Sequence, residues 1–147
     1  MPEKTTLERA RRDIRAGKAP STQAGEFVRE EMDHIREGKH GARSTKQAIA
    51  IGLSKARRAG VELPPPKEGT ASSETRQKAS RDVRRGKSQR KPSTTRARAV
   101  RKALKREGHG AASRKSLSRQ ARTAAAKRSA ASRSRAAKKA AATRKHR

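Results

Sequence analysis

Apolar side chains recur at helical spacing in the first sixty residues and become rare afterwards. Leu7, Ala10 and Ile14 fall three and four apart and stop before Gly17. Thr5 and Glu8 ahead of them form a T-x-x-E capping box, so the spacing predicts a short helix. A second helix starts near Ser21 or Thr22, carries Phe27, Val28, Met32 and Ile35, and ends at Gly38. A third starts at Ser44, with Gln47 as a second capping box. It carries Ile49, Leu53 and Ala56 on one face and stops at Gly60. The stretch Val61-Glu62-Leu63-Pro64-Pro65-Pro66 must be extended, because successive prolines favour polyproline II. It reads as a stiff spacer, with a ligand for a proline-binding module as the other reading.

The rest of the chain reads as a degenerate copy of this module. Arg12-Asp13-Ile14-Arg15-Ala16-Gly17-Lys18 matches Arg81-Asp82-Val83-Arg84-Arg85-Gly86-Lys87. Pro20-Ser21-Thr22 matches Pro92-Ser93-Thr94, and Val28-Arg29 followed by Met32 matches Val100-Arg101 followed by Leu104. Glu37-Gly38-Lys39-His40-Gly41-Ala42 resembles Glu107-Gly108-His109-Gly110-Ala111, and Lys46-Gln47-Ala48 resembles Arg119-Gln120-Ala121. The order is kept throughout, which favours duplication over coincidence. Phe27 aligns with Ala99, and the Ile49/Ile51/Leu53 region aligns with Arg, Thr and Ala. The second copy has exchanged core residues for charge.

Composition bounds how much of this can form a core. The 147 residues include 42 Lys+Arg and 13 Asp+Glu, a formal charge of +29. Sixteen side chains are apolar and larger than alanine, and only Val83, Val100, Leu104 and Leu117 of these follow Pro66. Leu, Ile, Val and Phe together number 14, below the level of about one fifth at which a highly charged chain is expected to be disordered. Residues 1–66 carry a net charge of +5 and residues 67–147 carry +24. The fold expected is therefore all-α. A three-helix module (1–60) and a proline-rich spacer (61–69) precede a basic Ala/Lys/Arg/Ser tail (70–147) that is largely disordered or conditionally helical. No cysteine is present, so disulfides and thiolate metal sites are excluded. No apolar run approaches the roughly 18 residues of a membrane span, and Met1-Pro2-Glu3-Lys4 opens no secretory signal. The expected location is the cytoplasm, at the nucleoid.

A chain this basic needs a polyanion. Arg114, Lys115, Arg119, Arg122, Lys127, Arg128, Arg133, Arg135, Lys138, Lys139, Arg144 and Lys145 punctuate the tail, with no acid after Glu107. Each can replace a counterion condensed on a phosphate. The third helix adds Lys46, Lys55, Arg57 and Arg58 as candidate phosphate contacts. It reads either as a recognition helix in a groove or as a helix packed on the second, with cations at its negative C-terminal end. Base readout has little support, since there is no Trp or Tyr and the one Phe falls in the candidate core. Enzyme chemistry also has little. Glu26, Glu30, Glu31, Asp33 and Glu37, with His34, read as a solvated acidic helix face. His34, His40, His109 and His146 read as scattered surface residues. No glycine-rich turn matches a nucleotide-binding pattern, and no cofactor or metal is expected.

Arg43-Ser44-Thr45-Lys46-Gln47-Ala48-Ile49-Ala50-Ile51-Gly52-Leu53-Ser54-Lys55-Ala56-Arg57 resembles the S-x-K-Q-A-I-A-I-[GA]-L-S-x-A-R signature of a family of small basic bacterial proteins of unknown function. The resemblance covers about residues 26–60 and implies a bacterial source. The Ala/Lys/Arg/Ser tail is similar in composition to bacterial histone-like proteins with linker-histone-type tails, though it lacks repeated Lys-Pro units. The reading is a non-enzymatic, nucleoid-associated protein that grips duplex DNA through its backbone with little sequence specificity. RNA or the ribosome is the alternative partner. A protein-interaction adaptor, in which the helical module binds a protein and the tail anchors it, is the rival from another class.

Overall fold

The computed structural model describes residues 1–88 and 91–145, and every regular element among them is helical. In order these are α1 (Lys4–Arg15), α2 (Pro20–Arg36), α3 (Thr45–Arg58), α4 (Ser73–Ser88) and α5 (Thr94–Leu104). A single 3-10 turn (Gly110–Ala112), α6 (Arg114–Ala126) and α7 (Ala130–Lys145) follow. The chain divides into two compact units, Met1–Ser113 and Arg114–Arg147. The first therefore runs well past the change of composition at Pro66.

The ends of α3 follow the local chemistry closely, and the start of α1 does not. Ser44 caps α3, its Oγ accepting the Gln47 N–H at 3.2 Å, while Gln47 Oε1 takes the Arg43 N–H at 2.7 Å. Gly60 lies just beyond α3 at φ +96°, a left-handed conformation that glycine adopts without steric cost. The expected Thr5 cap does not form, because α1 begins one residue before it, at Lys4. Glu3 holds the N-cap position without a side-chain cap bond, and its carboxylate reaches across to His34 Nε2 (2.8 Å) and Lys39 Nζ (3.2 Å).

Within the first unit, α2 packs against both α1 and α3, and α4 packs on the far side of α3. Ala10, Ala24, Phe27, Ala56 and Val61 form the core cluster, flanked by Leu7, Leu53 and Leu63. Most of these side chains are small, so closure requires backbones to approach. The buried stripe of α3 includes Ala48, Gly52 and Ala56, and a Cβ on Gly52 would lie 2.6 Å from Val28 Cα. Ile49 and Leu53 are only partly buried beside that stripe. Ile14, expected in the core, is 52% exposed, because its neighbour Asp13 turns inward and binds Lys18 Nζ at 2.6 Å.

The proline segment is extended but strapped down. Val61 is buried, and Arg57 donates from Nε to the Leu63 carbonyl (3.2 Å) and from Nη2 to the Pro64 carbonyl (3.3 Å). The chain then returns as α4. Its buried positions are Ala79, Asp82 and Gly86, and the first two repeat Ala10 and Asp13 of α1 in the same register. Asp82 accepts from Ser54 Oγ (2.6 Å) and Arg58 Nε (2.8 Å) on α3. The two similar turns also meet: Gly41 N–H donates to the Leu104 carbonyl (2.9 Å), and Ala42 N–H to the Gly108 carbonyl (3.0 Å). Thr45 Oγ1 donates to the Ala111 carbonyl at 2.6 Å and Arg36 Nε to that of Ala112 at 3.1 Å. Where composition suggested disorder, the described basic half is helical. Alanine, arginine and lysine are strong helix formers, and residues 111–147 contain neither Gly nor Pro.

The acidic face of α2 is solvated only in part: Asp33 and Glu37 stay about half exposed, but Glu30 and Glu31 are buried. Phe27, Glu31 and Ile35, spaced by four, are the largest fully buried side chains. Lys55 reaches from α3 to Glu31 Oε2 (2.6 Å) and Glu30 Oε1 (3.2 Å), and His40 Nε2 lies 2.8 Å from Glu31 Oε1. Burial by itself pushes the Glu30 carboxyl up. The Thr6 hydroxyl, the Glu3 N–H and Lys55 outweigh it and hold the group below the usual carboxylate range.

Two pairs of substitutions test this packing. A Cβ at Gly86 would collide with the Arg57 carbonyl, whereas Gly25 has open space around it. Gly86→Ala should cost about 1–3 kcal/mol, and Gly25→Ala should be neutral or stabilising by up to about 1 kcal/mol, read from urea unfolding. Lys55→Met strands two buried carboxylates and should cost about 3–5 kcal/mol. Exposed Lys46→Met should stay within about 0.5 kcal/mol in the same assay.

Candidate nucleic-acid interface

The four cations of α3 are divided by the packing. Lys46 is exposed in the first turn, with no acidic partner among the described residues. Lys55 points inward, its side chain 24% exposed between the two carboxylates of α2. Arg57 is buried and spends its donors on the proline strap. Burial pulls its pKa down, and the charge of Asp82 partly offsets this. Arg58 is about half exposed and paired with Asp82. Lys46 and Arg58 stand about 18 Å apart along the axis, at 1.5 Å per residue. The helix thus presents no continuous cationic face, and three of its four candidates, Lys55, Arg57 and Arg58, bind groups of neighbouring elements.

The first unit instead places cations where the sequence reading did not look. With Ala79, Asp82 and Gly86 committed to α3, helical geometry turns Arg81 and Arg84 outward, and both are exposed. They join Arg76, Gln77 and Ser80 against Pro65 and Pro66 in a groove of about 610 Å³. Arg76 Nη1 lies 3.5 Å from Glu68 Oε1, on a side chain that is 91% exposed, while its Nε is buried with no hydrogen-bond partner. A guanidinium with unused donors, beside two more arginines, suits an oxyanion such as phosphate. The signal was legible in principle: the Arg81-Asp82-Val83-Arg84 repeat, with Asp82 inward, puts both arginines outward.

On α5, Arg98, Arg101, Lys102 and Lys105 follow at intervals that form one stripe, and all are exposed. Val100 is 58% exposed away from them.

The second unit carries the other twelve sequence-predicted residues, all of them exposed. Lys115, Arg119 and Arg122 share one stripe of α6, at positions i, i+4 and i+7, and Arg114 sits at its start. Lys127 and Arg128 lie between the helices. Arg128 also donates from Nε (3.3 Å) and Nη2 (3.1 Å) to Ser132 Oγ, tying the connection to the first turn of α7. Arg133, Arg135, Lys138, Lys139, Arg144 and Lys145 point from α7 in all directions, since their spacing follows no single helical stripe. No acidic side chain occurs in residues 114–147, so none of these cations has an internal carboxylate side chain to neutralise it.

Two of the histidines differ from their sequence reading. His34 and His40 are largely buried beside Glu31, with side chains 14% and 12% exposed. His109 is exposed, and His146 lies outside the described residues. No described helix is long and apolar enough to cross a membrane.

Neither the curated proteins nor the solved structures include a match to this chain. Residues 16–67, about a third of the chain, match the sequence model of a family of unknown function (DUF6496). That stretch contains α2, α3 and the proline strap.

Proposed function

We propose that this protein is a non-enzymatic, nucleoid-associated binder of duplex DNA that grips the phosphate backbone with little sequence preference. The observation that carries the reading is the second unit: thirteen Lys and Arg in residues 114–147, no acid, and exposed side chains around every face of α7. Bringing phosphates to these helices releases condensed counterions and removes the self-repulsion of the arm, so binding and helix stability reinforce each other. The stripe of Lys115, Arg119 and Arg122 spans about 10 Å of α6, at 1.5 Å per residue. A helix of this kind fits the B-DNA major groove, about 12 Å wide.

Sequence selection has no instrument in this reading. Phe27 is buried at 1% exposure, and without Tyr or Trp no aromatic surface remains for stacking bases. The outer faces of α4 and α5 add backbone contacts on the first unit.

Anisotropy titrations of a labelled duplex across a salt series test the reading. If about ten phosphates are engaged, log affinity should fall against log salt with a slope near −9. Replacing Lys115, Arg119 and Arg122 together by Gln should reduce that slope by about 2–3, and replacing Arg76, Arg81 and Arg84 together should have a similar effect, at about 0.9 per phosphate contact. Affinity that ignores salt would sink the proposal. Preferential displacement of the duplex by structured RNA would transfer it to RNA.

A further inference from the structure

We propose that Glu31, His34 and His40 form a binding site for a divalent transition-metal cation of the zinc type, at the junction of α2 with the turn that follows it. One donor atom from each residue lies within 4.8 Å of the other two. Glu31 and His34 are three apart on the last turns of α2, and His40 returns to them after the turn at Gly38. Glu31 is only 1% exposed, and the two imidazoles are partly accessible from outside.

The surroundings of the rings match what ligating histidines require. A histidine on a metal ordinarily holds its other ring nitrogen against a carboxylate or a carbonyl. His40 Nδ1 lies 3.0 Å from the Gly41 carbonyl, and a proton donated there leaves Nε2 as a lone pair. That lone pair faces Glu31 Oε1, another acceptor, at 2.8 Å. In that tautomer the two atoms converge as a pair of lone-pair donors that a bridging cation would satisfy. His34 Nε2 in turn lies 2.8 Å from Glu3 Oε1, so Glu3 either orients the ring or stands beside the metal as a further oxygen.

Charge balance points the same way. Glu30 and Glu31 are both buried, and Lys55 is the ammonium shared between them, leaving one negative charge in excess. Lys55 approaches Glu31 at Oε2, which leaves Oε1 available to a cation. Two imidazoles and one carboxylate, with no cysteine in the chain, form a donor set suited to zinc with a fourth position open. Ligand atoms on tetrahedral zinc stand about 3.3 Å apart, from bond lengths of about 2.0–2.1 Å. His40 and Glu31 therefore need to separate by only about half an ångström. A metal here would fix the turn whose Gly41 and Ala42 N–H groups bind the Leu104 and Gly108 carbonyls, and so would stiffen the joint between the two repeats.

The test uses the full chain, stripped of nucleic acid and metal, in phosphate-free buffer. Zinc(II) is titrated calorimetrically, and cobalt(II) is followed by its visible ligand-field bands. One equivalent should bind, with the intense visible bands of four-coordinate cobalt and a rise in melting temperature. His34→Gln and His40→Gln should each lower affinity at least about a hundredfold, and Glu3→Gln about 10–100-fold, the usual effect of losing an orienting partner. His109→Gln should bind as the parent does. Absence of one-equivalent binding by the parent chain would overturn the proposal. So would unchanged binding in His34→Gln with its helical circular dichroism intact. Should His40→Gln fail to fold, the parent cobalt spectrum and His34→Gln still decide.

Discussion

The Lys55 ammonium touches Glu30 and Glu31 at once, and the first unit is arranged around that contact. Two carboxylates buried on α2 need a cation from another element, since a charge removed from water is tolerated only when paired. This fixes α3 against α2, and the glycine and alanine stripe of α3 lets the backbones come close enough for Lys55 to reach. Arg57, two residues on, then straps the proline segment, and Arg58 binds Asp82 of α4. One short run of α3 thus connects to α2, the strap and α4. A chain with few large apolar side chains gains from inward charge pairs the definition that a larger apolar core would supply.

The same arrangement sorts the cations. Those paired with inward acids hold the fold, and those opposite them face solvent. On α4, turning Ala79, Asp82 and Gly86 inward leaves Arg81 and Arg84 outward. After Glu107 the chain has no acid left to bring inward, so the basic residues of α6 and α7 have no acidic side chain of their own unit to bind. The excess charge is therefore displayed rather than absorbed, which is the basis of the proposed polyanionic partner.

Much of the helix pattern was legible in the residues. The glycines at 38 and 60, the Ser44 cap and the apolar spacing of α2 place two helices within a residue or two of where they lie. The burial of Glu31 could have been read from its position midway between Phe27 and Ile35. It was hidden because carboxylates normally face water, and only the arrival of Lys55 from a separate helix makes an exception tenable. Ile14 misled for the converse reason: its neighbour Asp13 had a partner in Lys18 and took the inner position. The docking of α4 was written in its repeat of Ala10 and Asp13, yet its high charge suggested a free tail. Among the candidate contacts, Lys55 and Arg57 looked no different in sequence from Lys46. The acids and carbonyls that occupy them come from other elements, beyond the reach of local pattern. The groove arginines do not stand out by charge density; they are distinguished only by the face left over once Ala79, Asp82 and Gly86 turn inward.

Amide hydrogen exchange along the full chain, with and without a saturating duplex, tests the central claim most directly. Backbone gripping by the displayed cations predicts strong slowing through α6 and α7, weaker slowing in α4 and α5, and no change in α2 and α3, whose protection already comes from the buried contacts. Slowing concentrated in α2 and α3, with α6 and α7 unaffected, would contradict it.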